Sequence, residues 1–247
     1  MCATCGCDQP DHNHDHDHDH DHEHHHHDHD DHAREHRRIR VEQELLAKNS
    51  MLAERNRGWF SGRGVVAFNL VSSPGAGKTT LLERTIRELK RSIAVIEGDQ
   101  ATSRDAERIR ATGARAVQVN TGAGCHLDAA MIAKALPELD PPRGSIVAIE
   151  NVGNLVCPAL FDLGERAKVL LASVTEGDDK PLKYPHMFRA ATLILLSKID
   201  LAPHVPFDRG QFSAAVKTIN PRARVLEVSA LTGAGLDAWY GWLEDQA

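Results

Sequence analysis

Aromatic side chains are scarce in this 247-residue sequence, at 4% of all residues, and long hydrophobic runs are absent. No stretch approaches the roughly 18 to 20 apolar residues that a membrane-spanning helix needs, and the first residues lack the basic and apolar regions of a signal peptide. Basic residues are interspersed with acidic ones, without an arginine-rich face or a run of stacking aromatics. We therefore expect a cytoplasmic protein that binds neither a membrane nor nucleic acid.

Cysteine is also scarce, with five residues in the whole chain. An odd number without a secretion signal argues against a disulfide framework and indicates thiols that bind metal or take part in catalysis. Three of them, Cys2, Cys5 and Cys7, lie at the N-terminus, where Gly6 allows the backbone to fold back so that all three reach one ion. We predict a metal site there, with a redox thiol pair as the alternative. Soft thiolates suit Ni²⁺, Zn²⁺ or Cu⁺.

The first 32 residues contain almost no apolar side chains and no Lys or Arg, although the chain has 29 such bases. A segment of this composition cannot bury a core, so we predict a disordered tail over residues 1–37. Histidine and aspartate alternate over residues 14–20, and neutral imidazole is a good ligand for Ni²⁺, Cu²⁺ and Zn²⁺. An expression tag is the alternative, but tags are not interrupted by aspartate. The composition predicts storage of several metal ions.

Beyond the tail, the hydrophobic pattern predicts an α/β domain. Apolar residues recur at helical spacing from Ile39 to Arg57, and we expect residues 38–62 to form a helix and a linker. From 63 to 247 short apolar runs alternate with helical stretches, which is typical of a doubly wound, mostly parallel sheet. The predicted strands are Val65–Val71, Ile93–Ile96, Ala116–Val119, Ile146–Ile149, Val169–Leu171, Leu193–Leu196 and Val225–Val228. The predicted helices are 79–91, 103–112, 127–136, 209–219 and 235–244.

A phosphate-binding loop follows the first predicted strand. Glycine lets backbone N–H groups approach phosphate oxygens, Lys78 can reach the β and γ phosphates, and Thr79 can hold Mg²⁺. Ser72 stands where the motif G-x-x-x-x-G-K-[ST] has its first glycine. An ordinary glycine turn is the alternative, but the strand-to-helix position favours a nucleotide site. Its candidate residues are Gly75, Ala76, Gly77, Lys78, Thr79 and Thr80.

The choice of base follows from the segment Ser197-Lys198-Ile199-Asp200, which comes after the sixth predicted strand. The carboxylate of Asp200 can accept the two N–H donors of guanine, whereas adenine offers no such pair. Lys198 would lie along the base, and a backbone N–H of Ser229-Ala230 could close the pocket. Ser197 replaces the usual Asn, and a surface Lys and Asp in a loop are the alternative. The motif predicts GTP rather than ATP.

Two acids at strand ends complete the phosphate site. Asp99 and Glu150 could each hold Mg²⁺, directly or through water, or orient the attacking water, and a helix cap is the alternative role. The N–H of Gly153 is placed to sense a γ-phosphate. No arginine is in an obvious position to stabilise the transition state, so we expect slow hydrolysis by the isolated protein. Lys78, Asp99 and Glu150 are the predicted catalytic residues.

A second metal site is predicted where Cys125 and His126 follow the third strand and Cys157 follows the fourth. Both loops should lie on the same rim of the sheet, so one chain supplies three ligands of a four-ligand site. Two buried structural cysteines are the alternative. Only four residues separate Gly153 from Cys157, which suggests that the metal geometry differs between the GTP and GDP states.

Taken together, six motifs resemble the HypB family of hydrogenase nickel-incorporation GTPases. They are the N-terminal Cys cluster, the His-rich stretch, and residues 72–80, 120–128, 150–158 and 175–179. The resemblance implies GTP hydrolysis with Mg²⁺, a nucleotide-promoted homodimer, and a HypA-type partner that helps to deliver nickel to the large-subunit precursor of [NiFe]-hydrogenase. It also implies tight nickel binding at Cys2, Cys5 and Cys7, and nickel or zinc at Cys125, His126 and Cys157.

Three alternatives to this resemblance stay open. The urease nickel chaperones share the GTPase core, but they lack the N-terminal cysteine cluster and have a Cys-Pro-His metal motif. A nickel storage protein would need only the tail, and a signalling GTPase would leave the five cysteines unexplained.

Overall fold

The computed structural model describes residues 28–99, 104–122 and 124–246. The predicted metal cluster of Cys2, Cys5 and Cys7 and the His-rich stretch up to residue 27 lie outside these ranges. The metal binding predicted for this cluster and the ion storage predicted for this stretch therefore stay predictions. None of the helices in the described ranges has the length and apolar character needed to cross a membrane.

Seven strands form one sheet in the order β3-β2-β4-β1-β5-β6-β7, and every neighbouring pair is parallel. The strands are β1 (Val66–Ser72), β2 (Ile93–Asp99), β3 (Ala116–Asn120), β4 (Ile146–Glu150), β5 (Ala167–Ser173), β6 (Leu193–Ser197) and β7 (Arg224–Glu227). The central strands β4 and β5 are buried along their whole length, as expected for strands covered on both faces. The predicted doubly wound α/β sheet is confirmed.

Eight α-helices connect and cover these strands. They are α1 (Asp28–Arg63), α2 (Lys78–Glu88), α3 (Arg104–Arg110), α4 (Ala129–Leu139), α5 (Lys180–Lys183), α6 (Pro185–Ala190), α7 (Arg209–Ile219) and α8 (Leu236–Asp245) in the described ranges. Short 3₁₀ segments cover Cys157–Ala159, Val174–Glu176 and Ile199–His204. Both α5 and α6 are missing from the sequence-based prediction, because each is too short to show helical periodicity.

The first helix differs from its prediction at both ends. It was expected from Ile39 to Arg57, but it continues through the expected linker to Arg63 and begins at Asp28. Gly58 and Gly62 do not end it, because the last turns are packed against the domain: Phe60 is buried in the core shared with α4. Packing of an apolar face outweighs the low helix propensity of two glycines.

The two faces of β1 belong to different parts of the core. Phe68 and Leu70 pack with Trp239 of α8 on one face, whereas Ala67 packs with Phe60 on the other. Towards the far edge of the sheet, α6 and α7 cover β5 and β6. Because all strands are parallel, their carboxyl ends meet at one rim, where the predicted ligand-binding loops converge.

Candidate nucleotide and metal sites

The phosphate loop joins β1 to α2 in the conformation that its glycines allow. Gly75 and Gly77 have φ angles of 73° and 100°, a left-handed region that favours glycine. Lys78 is buried, and its Nζ donates to Ser72 Oγ at 2.9 Å. Burial lowers the pKa of Lys78, and the nearby Glu150 counters that shift. Ser72, at the position of the motif's first glycine, thus anchors the amine that would contact phosphate.

The two acids predicted at strand ends line one cavity with the phosphate loop, about 560 Å³ in volume. Thr79 Oγ1 donates to Glu150 Oε1 at 2.7 Å, while Glu150 Oε2 is buried without a hydrogen-bond partner in the described part of the chain. Burial raises the pKa of Glu150. Asp99 lines the same cavity from the end of β2. Hydroxyl and carboxylate oxygens are the ligands that Mg²⁺ prefers, so this set fits the ion.

Glu97 is an acid of this cavity that was not selected from the sequence. It faces Glu150 in the register of β2 and β4 and is buried, and burial together with the charge of Glu150 raises its pKa to about 7. The sequence offered one signal for this residue, an acidic side chain directly after the apolar run of β2. The register that brings it beside Glu150 is not visible in the sequence.

Arg108 of α3 also lines the phosphate cavity, whereas the sequence showed no arginine in an obvious position. Its Nη2 donates to Glu83 Oε2 at 2.6 Å and to Thr80 Oγ1 at 3.2 Å, and its Nη1 donates to Asp105 Oδ1 at 3.2 Å. A guanidinium held by two carboxylates beside Thr80 can contact a phosphate by exchanging partners. Arg108 is thus an arginine of this cavity that was not identified from the sequence, and the expected slow hydrolysis by the isolated protein stays a prediction.

A second cavity of about 250 Å³ adjoins the phosphate loop, and Asp200, Lys198 and Ala230 line it. Lys198 has a φ of 58°, and its Nζ donates to Gly75 O at 2.7 Å. Ser197 Oγ donates to Ala76 O at 2.9 Å, so this residue ties the base-binding segment to the phosphate loop despite replacing Asn. The predicted base-binding residues are thereby brought beside the phosphate site.

Ser229 and Ala230 have different contacts in the segment that was predicted to close the base pocket. Its N–H donates to Ala234 O at 2.9 Å, and its Oγ accepts from Thr232 N at 3.1 Å. These bonds shape the loop, and Ser229 does not line the base cavity. Of these two residues, Ala230 is therefore the one that lines the cavity predicted to hold the base.

The second predicted metal site is assembled at the same rim. Cys125, His126 and Cys157 each offer a ligand atom, and these atoms all lie within 4.8 Å of one another. The two Sγ atoms are 2.9 Å apart, and Cys125 Sγ is 3.7 Å from His126 Nδ1. The imidazole packs against Phe161 with ring centroids 4.0 Å apart and ring planes tilted by 34°. Burial lowers the pKa of His126. A neutral imidazole beside two thiols suits nickel or zinc.

Two contacts join this cluster to the phosphate site. A Cβ on Gly153 would lie 3.0 Å from Pro74 Cα, so a side chain there would require the phosphate loop to shift by a few tenths of an ångström. Asn151 Oδ1 accepts from Leu127 N at 3.2 Å, which links the residue after Glu150 to the residue after His126. The segments that carry His126 and Cys157 are thus both linked to residues that line the nucleotide cavity.

The sheet is parallel, and its first strand leads through a glycine-rich loop into a helix that begins with Lys78 and Thr79. This arrangement defines a P-loop nucleotide-binding protein. The model of the family described as CobW/HypB/UreG, nucleotide-binding domain, matches residues 66–227. The hydrogenase maturation factor HypB of Rhizobium leguminosarum bv. viciae is 59% identical over 215 residues, which cover 86% of this chain and 72% of that protein. The chain belongs to the HypB family of hydrogenase maturation factors.

Two solved structures agree with this assignment. HypB from Archaeoglobus fulgidus has a TM-score of 0.75 and 42% identity, covering 81% of this chain and 98% of the other. HypB from Helicobacter pylori in complex with nickel has a TM-score of 0.77 and 37% identity, covering 81% of this chain and 94% of the other. The role in hydrogenase maturation indicated by the sequence resemblance is therefore confirmed at the level of the family.

Proposed function

We propose that the protein is a GTP-hydrolysing nickel metallochaperone, which stores nickel and inserts it into the large subunit of [NiFe]-hydrogenase. Metal release is coupled to the GTP cycle. The observation that carries this proposal is the contact between the Cys125–His126–Cys157 cluster and the chain that borders the phosphate cavity. The nickel in the Helicobacter pylori relative supports nickel as the cargo.

In this proposal Lys78 and the N–H groups of the phosphate loop bind the β and γ phosphates. Thr79 and Glu150 would hold Mg²⁺, with Asp99 as a further ligand or as the residue that orients the attacking water. When bound, Mg²⁺ neutralises charge that develops on the phosphate oxygens. The buried Oε2 of Glu150, without a partner among the described residues, supports this arrangement because such an oxygen would otherwise be costly.

Selection of GTP is assigned to Asp200, whose carboxylate accepts from the N1 and N2 donors of guanine. Adenine would leave this carboxylate without donors and opposite an acceptor. The cavity that Asp200 shares with Lys198 and Ala230 supports this role, because it lies beside the phosphate loop.

Coupling would act through the segment that follows β4. When Gly153 closes on a γ-phosphate, Cys157 shifts relative to Cys125 and His126, and Asn151 transmits the same movement to Leu127. Linkage makes the effect reciprocal, so metal changes the affinity for GTP by the same factor as GTP changes the affinity for metal.

The remaining parts of the proposal concern assembly and cellular context. A homodimer could bring two three-ligand sets together across a two-fold axis and complete the coordination of nickel or zinc. Cys2, Cys5 and Cys7 would bind nickel tightly, the His-rich stretch would store further ions, and a HypA-type protein would assist delivery. We place this activity in the cytoplasm, where hydrogenase precursors would be met.

The test uses the full chain with Cys2→Ala, Cys5→Ala and Cys7→Ala, which leaves Cys125 and Cys157 as the remaining thiols. Thiolate-to-nickel charge-transfer absorption then reports this site alone, because histidines of the tail give no such band. We expect the nickel and zinc dissociation constants to differ between GDP and a non-hydrolysable GTP analogue. Equal constants in the two states, for both metals, would show that the site is structural and would overturn the coupling.

A further inference from the structure

We infer that Asn49 and Asn56 of α1 are positioning residues for the Cys125–His126–Cys157 site. Each amide joins the chain that follows Cys125 and His126 to the chain that follows Cys157. The inference rests on the proposed metal function of this site. It adds hydrogen bonds from a third part of the sequence, the helix α1, that hold the two ligand segments.

Asn49 makes one bond to each ligand segment. Its Oδ1 accepts from Ala129 N at 2.9 Å, three residues after His126, and its Nδ2 donates to Asp162 O at 2.7 Å, five residues after Cys157. The side chain therefore fixes the distance between the two segments from outside the metal cluster.

Asn56 repeats this pattern two turns further along α1. Its Nδ2 donates to Ala129 O at 2.8 Å and to Leu163 O at 3.0 Å. Both peptide groups of the Ala129 residue are thus bound by α1, the N–H by Asn49 and the carbonyl by Asn56. Two amides that converge on one residue hold the start of α4, and with it the preceding His126, against the helix.

Burial makes these bonds expensive to lose. Asn49 is 6% exposed and Asn56 is 2% exposed. Asparagine lowers helix propensity, and a buried amide without partners would be strongly unfavourable. An apolar residue would serve packing alone at these positions, so the two asparagines are explained by the backbone groups that they bind.

The segment after Cys157 is held from two sides. A Cβ on Gly164 would lie 2.5 Å from Ala53 O of α1, so this glycine allows the segment to touch the helix. From the sheet, the buried Lys168 Nζ donates to Pro158 O at 2.7 Å and to Phe161 O at 3.2 Å. The residues that follow Cys157 are therefore held by α1 on one side and by β5 on the other.

Metal affinity depends on this kind of support, because ligands must be held close to the productive geometry before the ion arrives. Partners that are hydrogen-bonded to the ligands themselves typically change metal affinity by about 10- to 100-fold when they are removed. Asn49 and Asn56 bind the chain three to six residues beyond the ligands, so we expect an effect at the lower end of this range. Loss of either asparagine should therefore loosen the spacing between the thiols and weaken nickel binding, without removing any ligand.

Asn220 offers a matched control. Its Nδ2 donates to Phe188 O, Arg189 O and Ala191 O at 2.9, 3.2 and 2.9 Å, which is the same use of an amide to fix a loop. It follows α7 at the other side of the domain and touches neither ligand segment. Asn220→Ala should lower thermal stability, as the variants of α1 do, but leave the metal site unchanged.

The experiment introduces Asn49→Ala, Asn56→Ala and Asn220→Ala separately into the full chain that carries Cys2→Ala, Cys5→Ala and Cys7→Ala. Nickel affinity is measured by competition with a chelator, and the thiolate-to-nickel charge-transfer band is recorded for each variant. We expect about 10-fold weaker binding or more, and a shifted band, for the two variants of α1. Asn220→Ala should match the parent in both measurements.

Asn49→Asp is a second variant in case Asn56→Ala does not fold, and its buried carboxylate beside the Asp162 carbonyl should lower thermal stability. It keeps the acceptor for Ala129 N but loses the donor to Asp162 O, so the band should still shift. The inference is overturned if the α1 variants match Asn220→Ala in affinity and band position. Absence of any charge-transfer band in the parent is a different result, since it would overturn the proposed metal site itself.

Discussion

The phosphate cavity and the thiol cluster share one rim of the sheet, but they are held together in different ways. In the phosphate cavity the functional groups bind one another, as Lys78 binds Ser72 and Thr79 binds Glu150. The ligands of the thiol cluster also contact one another, but they come from two separate loops. Bonds outside the cluster join these two loops. A site that carries its own bonds is preorganised locally, whereas one assembled by its surroundings can respond to changes elsewhere in the fold.

This difference predicts that the two regions can be impaired separately. Lys78→Ala should lower GTP turnover by about a thousandfold, because a preorganised cation at the developing phosphate charge is lost. Nickel binding at Cys125 and Cys157 in the absence of nucleotide should not change, which the charge-transfer band reports when the variant is made in the chain that lacks the three N-terminal thiols. Lys90→Ala, at an exposed position after α2, is the control and should keep normal turnover. Turnover retained by Lys78→Ala would contradict the assignment of the phosphate loop.

Conversely, nickel binding should be impaired without loss of GTP turnover by Cys157→Ser, made in the chain that lacks the three N-terminal thiols. Replacing a soft thiolate by a hydroxyl should weaken nickel binding by about a hundredfold or more, which chelator competition measures. GTP turnover with Mg²⁺ but without added nickel or zinc should stay at the parent level, since Cys157 does not line the phosphate cavity. Nickel affinity equal to that of the parent would show that Cys157 is not a ligand.

Within the nucleotide region, Asp200→Asn separates base selection from phosphate binding. The preference for GTP over ATP should fall by about a hundredfold, because two hydrogen bonds to a charged acceptor are lost. The amide of Asn can donate to the additional carbonyl of xanthine, so xanthosine triphosphate should become a substrate. Competition binding with the three nucleotides measures the change. If the unmodified protein bound ATP and GTP equally, the assignment of Asp200 would be wrong.

The smallest expected effect concerns Arg108. Its replacement tests whether every charged group of the phosphate cavity is already in position before nucleotide binds. Its guanidinium is held by Glu83 and Asp105, so it must exchange these partners to meet a phosphate. Arg108→Ala should reduce kcat/KM for GTP by about tenfold, in line with one partly exposed charged contact. Arg110→Ala, whose Nε binds Ala116 O, is the control on the same helix. Identical kinetics for the two variants would remove Arg108 from the nucleotide site.

Several elements could be predicted because their signals lie in short, continuous segments. The apolar runs around Phe68 and Ile149 gave the strands, and the glycines before Lys78 gave the phosphate loop. The short helices at Lys180–Lys183 and Pro185–Ala190 gave no such signal, since neither is long enough for a periodic pattern. The length of α1 was underestimated because its last turns are stabilised by the packing of Phe60 rather than by helix-forming residues.

By itself, the sequence determined the parallel α/β architecture, the phosphate loop, the base-binding segment and the three metal-ligand candidates, because each depends on residue type and near spacing. Only the tertiary structure decided that Glu97 faces Glu150 and that Asn49 and Asn56 hold the two ligand segments. These contacts join residues from 53 to 113 positions apart. Strand register and helix docking bring such residues together, and neither is encoded in a local pattern.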